Sequence, residues 1–253
     1  MFSIEHLRAG LNTEFLGRAV LYLSKTPSTN DYAWECFQNQ KPEGTLIIAE
    51  HQGRGRGRRQ SSWSSTPGKS LTFSFLLLPD MANEKLGILP LLAGVSIVKG
   101  IHSMTNILSG LKWPNDIMVS QKKMGGILIE SRTGEKGIGV IVGIGLNINE
   151  SEDDIPNRLQ SQATSLYIDS GEEFSRELIL SAILNEFENL YLHKWHDIIP
   201  LWQEYCIHEN DEVTFHTNDK FLRGTFQGIT DSGHAQIQIN GKTKTFPAGM
   251  ITL

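Results

Sequence analysis

Leu111-Lys112-Trp113-Pro114-Asn115-Asp116-Ile117-Met118-Val119 is a strand broken in its middle. Apolar residues flank a cation, an aromatic ring, an amide and a carboxylate gathered around one proline. Proline has no N–H to give to a sheet ladder, so within a sheet it belongs at an edge or an interruption. Interruptions of that kind re-aim side chains toward a site. Lys123 follows seven residues after Asp116, ahead of Met124-Gly125-Gly126-Ile127-Leu128-Ile129-Glu130. Paired glycines let a ligand lie against the backbone, and a lysine beside them can offset charge on a reacting phosphate. Without further context, Lys112 and Lys123 read rather as ordinary surface lysines.

Working outward, the apolar run 19–23 and the segments 45–50 and 71–78 read as strands, the last stopped by Pro79-Asp80. Residues 125–131 and 137–149 read as two more, the second nearly all apolar or glycine. Pro27-Ser28-Thr29-Asn30-Asp31 opens a helix through Tyr32, Ala33, Trp34 and Phe37, with Ser28 or Thr29 as its cap. Leucines and isoleucines at helical spacing predict a buried helix over 86–104. Phe174, Leu178, Leu180, Ile183, Leu184, Phe187, Leu190 and Tyr191 mark a long amphipathic helix, and 198–206 a shorter one. Together they predict an α+β domain with a mixed or antiparallel sheet over residues 1–208. From about residue 210 the character changes. Val213 and Phe215, Thr225-Phe226, Ile237 and Ile239, Thr243 to Phe246, and Ile251 suggest about five short strands, with turns at Asp231-Ser232-Gly233 and Asn240-Gly241. A small β-barrel over 209–253 accounts for them.

The composition of the 253 residues, 39% hydrophobic and 20% charged, excludes a disordered chain. No 18 apolar residues run together, so no membrane span is expected. The N-terminus lacks the basic start and apolar stretch of a secretory signal. Cys36 and Cys206 are too few for a disulfide framework or a four-ligand zinc site, and both read as buried thiols of a reducing, cytoplasmic protein. A net charge of −5 argues against a protein that coats nucleic acid.

Against that acidic background stands Gln52-Gly53-Arg54-Gly55-Arg56-Gly57-Arg58-Arg59-Gln60, with four arginines in six residues. Glycines allow close backbone approach, and guanidinium groups grip phosphate or carboxylate oxygens with paired bonds. The loop suits a polyanionic small molecule such as ATP. Taken alone it fits a nucleic-acid-binding tail or a solvated basic loop as well. Two neighbouring patterns lack their partners. Pro67-Gly68-Lys69-Ser70 ends like a phosphate-binding loop, but position 63 is Trp where that motif needs Gly. Gly143-Ile144-Gly145-Leu146-Asn147 begins like a dinucleotide fingerprint, but position 148 is Ile, so no nicotinamide cofactor is implied.

Together and in order, these segments resemble biotin protein ligases. The resemblance rests on Ser28-Thr29-Asn30, on Gln52 with Gly55-Arg56-Gly57-Arg58-Arg59, and on Trp63-Ser64-Ser65 with Pro67-Gly68-Lys69. It continues through Lys112-Trp113-Pro114-Asn115-Asp116, Lys123 with Gly126-Ile127-Leu128 and Glu130, and Gly143 to Asn147. It covers residues 18–150 and implies the family's fold, related to class II aminoacyl-tRNA synthetases, followed by an SH3-like barrel.

The resemblance also implies a reaction. Biotin's carboxylate attacks the α-phosphate of ATP, giving biotinyl-adenylate and pyrophosphate; a lysine of a carrier domain then takes the biotinyl group and AMP leaves. Bringing two anions together needs cations, and the family's pattern supplies Arg56, Arg58 and Lys123, with Mg²⁺ carried on the phosphates and no assigned protein ligand. Lys123, Arg58 and Asp116 are the expected catalytic residues: Lys123 for the α-phosphate charge, Arg58 for holding the adenylate, Asp116 for the incoming amine. Biotin is expected at Ser28, Thr29, Asn30, Gln52, Gly55, Arg56, Gly57, Lys123, Gly126 and Ile127. The nucleotide is expected at Arg56, Arg58, Trp63, Lys112, Asn115, Lys123 and Asn147. The expected partner is the biotin carboxyl carrier domain of an acyl-CoA carboxylase, with dimerisation through an exposed sheet edge.

The loop departs from the family's pattern: an extra Gly-Arg precedes it and Gln60 stands where a final Gly is usual. Two registers follow. One gives the adenylate-holding role to Arg58 and keeps Gln52 and Trp63 in step without a gap; the other gives it to Arg56. The first strand begins near Arg18, which leaves no room for the DNA-binding domain that some relatives carry, so no operator binding is expected. The rival readings are a lipoate ligase or octanoyltransferase, a biotin-binding protein without chemistry, and a nucleic-acid module. The last is disfavoured because 210–253 holds four basic residues (Lys220, Arg223, Lys242, Lys244) against four acidic ones (Asp211, Glu212, Asp219, Asp231).

Overall fold

A computed structural model describes residues 2–80, 83–134, 137–217 and 220–252; Asp219 lies outside them. In chain order the elements are α1 (Ile4–Gly10), β1 (Val20–Leu23), α2 (Thr29–Gln38), β2 (Leu46–Ala49), β3 (Gly55–Arg56), β4 (Ser62–Trp63) and β5 (Leu71–Leu77). Then come α3 (Leu89–Met104), β6 (Ser109–Lys112), β7 (Asp116–Val119), β8 (Lys122–Gly134) and β9 (Gly137–Leu146). The chain closes with α4 (Leu166–Ser170), α5 (Arg176–His193), α6 (Ile198–Glu204) and β10 (Glu212–Thr217), then β11 (Lys220–Ile229), β12 (Ala235–Ile239), β13 (Lys242–Phe246) and β14 (Met250–Thr252).

Seven strands form the main sheet in the order β1-β2-β5-β9-β8-β7-β6. Only β1 and β2 run parallel, so the sheet is mixed, as the pattern predicts. Successive side chains of a strand point to opposite faces, and here the two faces part company. Leu71, Phe73, Phe75 and Leu77 of β5 and Val140, Val142, Ile144 and Leu146 of β9 enter one large core with α3 and α5. Leu76 and Ile141 point the other way and meet Ala33, Trp34 and Cys36 of α2. Burial on both faces explains why all seven residues of β5 are buried and why its sequence is apolar apart from Thr72 and Ser74. The segment Lys85–Met104 has a mean hydropathy of 1.5, long and apolar enough to cross a membrane by composition. Its apolar surface is spent inside the molecule, with eleven residues of α3 buried.

The C-terminal sheet is antiparallel in the order β13-β12-β11-β10-β14. It curls until the Phe246 ring at the end of β13 lies tilted 4.5 Å from that of Phe215 of β10, while among the described residues β13 and β14 do not pair with each other. Its inward residues Phe215, Phe226 and Ile237 join the same core as the main sheet. Trp113 makes that junction: it is 2% exposed, its ring lies 5.9 Å from Phe215, and its Nε1 donates to the Gly233 carbonyl at 3.1 Å. The β6 edge is covered, because the Leu111 N–H donates to Tyr205 O and the Ile207 N–H to Leu111 O. That leaves β1 as the other edge of the sheet. Two local expectations change. The helix α1 was not anticipated, and Cys206 is half-buried rather than buried, its Sγ 3.5 Å from Nδ1 of His208. Burial pushes the Cys206 thiol up to about 12, which makes it a packing group rather than a nucleophile.

Candidate active site

The α2-facing side of the sheet is covered at one end only. Along β5 that face reads Leu76, Ser74, Thr72; along β9 it reads Ile141, Gly143, Gly145. Where α2 packs, the residues are apolar; past its N-terminus they become small or polar. The opening is a cleft of about 450 Å³. On β8 and β7 the same face continues through Leu128, Gly126 and Asp116. The glycines have steric reasons: a Cβ on Gly143 would lie 2.0 Å from Oδ1 of Asn30, and one on Gly145 would lie 2.3 Å from Cε2 of Trp63.

At the α2 end the lining is uncharged and hydrogen-bonded. The Thr29 N–H and hydroxyl both meet Gln52 Oε1, at 2.6 and 3.1 Å, so the Gln52 NH₂ is the group left for a ligand. Ser74 Oγ reaches Thr29 Oγ1 at 2.7 Å and Asn30 Oδ1 at 2.6 Å. Ser28 occupies the N-cap position of α2, yet its side chain makes no cap bond. It is buried and lines the cleft, so its hydroxyl is a ligand-facing group rather than a cap.

The arginine loop is a small hairpin, β3 against β4, with Gly55 opposite Trp63. Its two central arginines have different surroundings. Arg56 is tied to carboxylates: Nη2 lies 2.6 Å from Asp31 Oδ1 and Nη1 lies 3.1 Å from Glu130 Oε1. Glu130 also accepts from Asn30 Nδ2 at 2.8 Å. Arg58 instead donates to Asn115 Oδ1 at 3.3 Å and has no carboxylate partner among the described residues. Burial and the neighbouring Arg59 lower its pKa, and Asp116 opposes them. A cleft-lining guanidinium short of an anion is a ready anion site. Beyond it, Asp116 stands between two lysines, 2.5 Å from Lys123 Nζ and 3.8 Å from Lys112 Nζ.

The cleft therefore gathers Ser28, Thr29, Asn30, Gln52, Arg56, Gly57, Arg58, Trp63, Asn115, Asp116, Lys123, Gly126 and Ile127 of the expected set. Three expected residues do not line it. Gly55 is spent on the hairpin, where an added Cβ would strike Trp63 O at 2.4 Å. Lys112 pairs with Asp116 from the side of β6. Asn147 turns its amide to the Thr164 carbonyl at 2.9 Å. Trp63 lies over Gly145, beside Gly55 and Gln52. Sequence reasoning missed Thr72, Asp31, Glu130 as a partner of Arg56, and Gly249 and Met250 at the rim. The alternation Leu76-x-Ser74-x-Thr72 was the available signal for Thr72. Among the described residues no three His, Cys, Asp or Glu side chains cluster to hold a metal.

A family model described as the biotin/lipoate A/B protein ligase family matches residues 22–147. The bifunctional ligase/repressor BirA of Bacillus spizizenii is 38% identical over 236 residues, covering 91% of this chain and 73% of that protein. The chain belongs to the biotin protein ligase family. The biotin–[acetyl-CoA-carboxylase] ligase of Mycobacterium tuberculosis is 28% identical, covering 90% and 86% of the two chains. The solved biotin protein ligase of Aquifex aeolicus, in complex with biotin and ATP, superposes with a TM-score of 0.79 at 27% identity, covering 93% of this chain and 98% of that one. The fold is thus that of the biotin ligases, C-terminal antiparallel sheet included. These relatives favour the biotin branch of the family over the lipoate branch.

Proposed function

We propose that this enzyme activates biotin with Mg²⁺–ATP to biotinyl-5′-adenylate and transfers the biotinyl group to one lysine of a carrier domain. The observation that carries the reading is the layout of one sheet face. An uncharged hydrogen-bonding end at Ser28, Thr29 and Gln52 is joined through Gly126, Ile127 and Leu128 to a cationic end at Arg58 and Lys123. That sequence of environments matches a molecule with a polar ring, an apolar tail and a terminal carboxylate.

In the first step the carboxylate oxygen attacks the α-phosphorus and pyrophosphate leaves. Arg58 and Lys123 offset the repulsion between the two anions, and both are charges already in place before the reaction. Mg²⁺ would be carried on the nucleotide's phosphates and would supply further positive charge against the reacting α-phosphate. In the second step the carrier amine attacks the acyl carbon and AMP leaves. Asp116, which pairs with Lys123 at 2.5 Å, orients that amine once phosphate oxygens compete for Lys123. Arg58, anchored on Asn115, retains the adenylate between the steps. The partner is the biotin carboxyl carrier domain of an acyl-CoA carboxylase, and the setting is the cytoplasm.

The test is one incubation with Mg²⁺–ATP, equal biotin, lipoate and octanoate, and purified biotin and lipoyl carrier domains, read by intact mass. The expected result is biotin on the biotin carrier alone. A lipoyl or octanoyl adduct would move the enzyme to the sister branch, and no adduct from folded protein would overturn the assignment.

A further inference from the structure

We propose that the Thr72 hydroxyl is a direct contact for the polar bicyclic head of biotin. The proposal rests on the biotin reading above. Thr72 is 2% exposed and lines the cleft, and its Oγ1 is buried with no hydrogen-bond partner among the described residues. Nothing local satisfies it. On one side it pairs with Ala49, and on the other with Gly145, which has no side chain to offer. Ser74, two residues along the same face, has already spent its hydroxyl on Thr29 and Asn30. Buried polar groups in folded proteins are nearly always paired, and an exception asks for an explanation.

The surroundings supply one. Three residues beyond Ala49 stands Gln52, the residue that Thr29 fixes with its amide outward. Trp63 lies across Gly145, and its Nε1 is also buried without a partner among the described residues. Two unpaired polar atoms thus flank one glycine, beside the head-group end of the cleft. Packing alone would be served by valine, which has the same branched shape and suits a strand. A hydroxyl at this position is an expense in the free protein that a ligand with both donors and acceptors recovers. The ureido ring of biotin carries two N–H groups and a carbonyl, and a hydroxyl can answer either.

The experiment compares wild type, Thr72→Val and Thr72→Ser by biotin titration calorimetry and by thermal unfolding of the free proteins. Thr72→Val is expected to weaken biotin binding about tenfold, the worth of one net hydrogen bond. Its free form should unfold at the same temperature as wild type or higher, because an unpaired hydroxyl is gone. Thr72→Ser should bind within about twofold of wild type, since it keeps the hydroxyl. Valine binding biotin as wild type does, or lowering the unfolding temperature, would overturn the proposal and make the hydroxyl a structural group. Wild-type protein that binds no biotin would overturn the reading on which this rests, a result distinct from an indifferent valine.

Discussion

Gly143→Ala is expected to destabilise the protein far more than Gly145→Ala, although the two glycines are two residues apart on one strand. A Cβ at 143 falls 2.0 Å from Asn30 Oδ1, 2.8 Å from its Cγ and 3.0 Å from its Nδ2. Asn30 has nowhere to go. It is 4% exposed at the start of α2, its Nδ2 donates to Glu130 and to the Leu128 carbonyl, and its Oδ1 accepts from Ser74. If it swings aside, about two hydrogen bonds are lost at about 1 kcal/mol each. If it stays, overpacking costs about 1–3 kcal/mol. Either route leads to a loss of about 1–3 kcal/mol by the same principles. At 145 the Cβ meets Trp63 instead, at 2.3 Å. That ring stands on a hairpin of two-residue strands, which can yield. Gly145→Ala should therefore cost less than about 1 kcal/mol of stability and show its effect in weaker biotin binding. Urea denaturation with shared m-values measures the first quantity, and calorimetry the second. In Asn30→Ala the offended amide is gone, so the double variant with Gly143→Ala should lose less than the two singles combined. Equal stabilities for the two glycine variants, or strict additivity with Asn30→Ala, would refute the steric reasoning.

Three further outcomes are expected. Lys123→Ala should slow adenylate formation by roughly 10²–10³-fold with biotin binding retained, because its amine is part-exposed and, among the described residues, paired only to Asp116; loss of biotin binding would show that Lys123 is misplaced. Arg58→Gly should release biotinyl-adenylate and label bystander lysines, whereas Arg56→Gly should chiefly weaken biotin binding, since Arg56 holds Asp31 and Glu130 together; leakage from Arg56→Gly instead would establish the other loop register. Glu150→Gln should stabilise the protein at pH 7–8. Burial raises the Glu150 carboxyl above its ordinary value, and its Oε2 has no hydrogen-bond partner among the described residues. A raised acid contributes stability below its unfolded pKa of about 4.3 and loses it as pH rises through the folded value. The advantage of the variant should therefore vanish near pH 4 in unfolding scans, and an advantage that persists there would contradict the burial argument.

What was legible in the sequence follows from how each residue reports its surroundings. β5 and β9 could be read because nearly all of their residues are buried and their sequences are almost wholly apolar or glycine, with Thr72 and Ser74 the exceptions. α1 could not, because it buries only Leu7 and leaves no periodic face. Ser28, Gln52, Arg58 and Lys123 were visible because polar residues and glycines gather in loops and at strand breaks, where a sequence shows them as clusters. Trp113 shared such a cluster yet belongs to the core, where it fastens the C-terminal sheet. Thr72, Asp31 and the pairing of Glu130 with Arg56 stayed hidden because each sits inside an ordinary element and acquires its role only across the sheet. The register supplies what the clusters lack. Reading β5 and β9 every second residue gives Leu76-Ser74-Thr72 beside Ile141-Gly143-Gly145, two strands that turn from apolar to small or polar at the same level. That level is where the N-terminus of α2 stops covering the sheet, with Thr29 and Asn30 as its first residues. The cleft is thus the uncovered end of a sheet face, and the residue that begins the covering helix also begins the polar lining. A single change of period along two paired strands therefore locates both the end of the core and the floor of the active site.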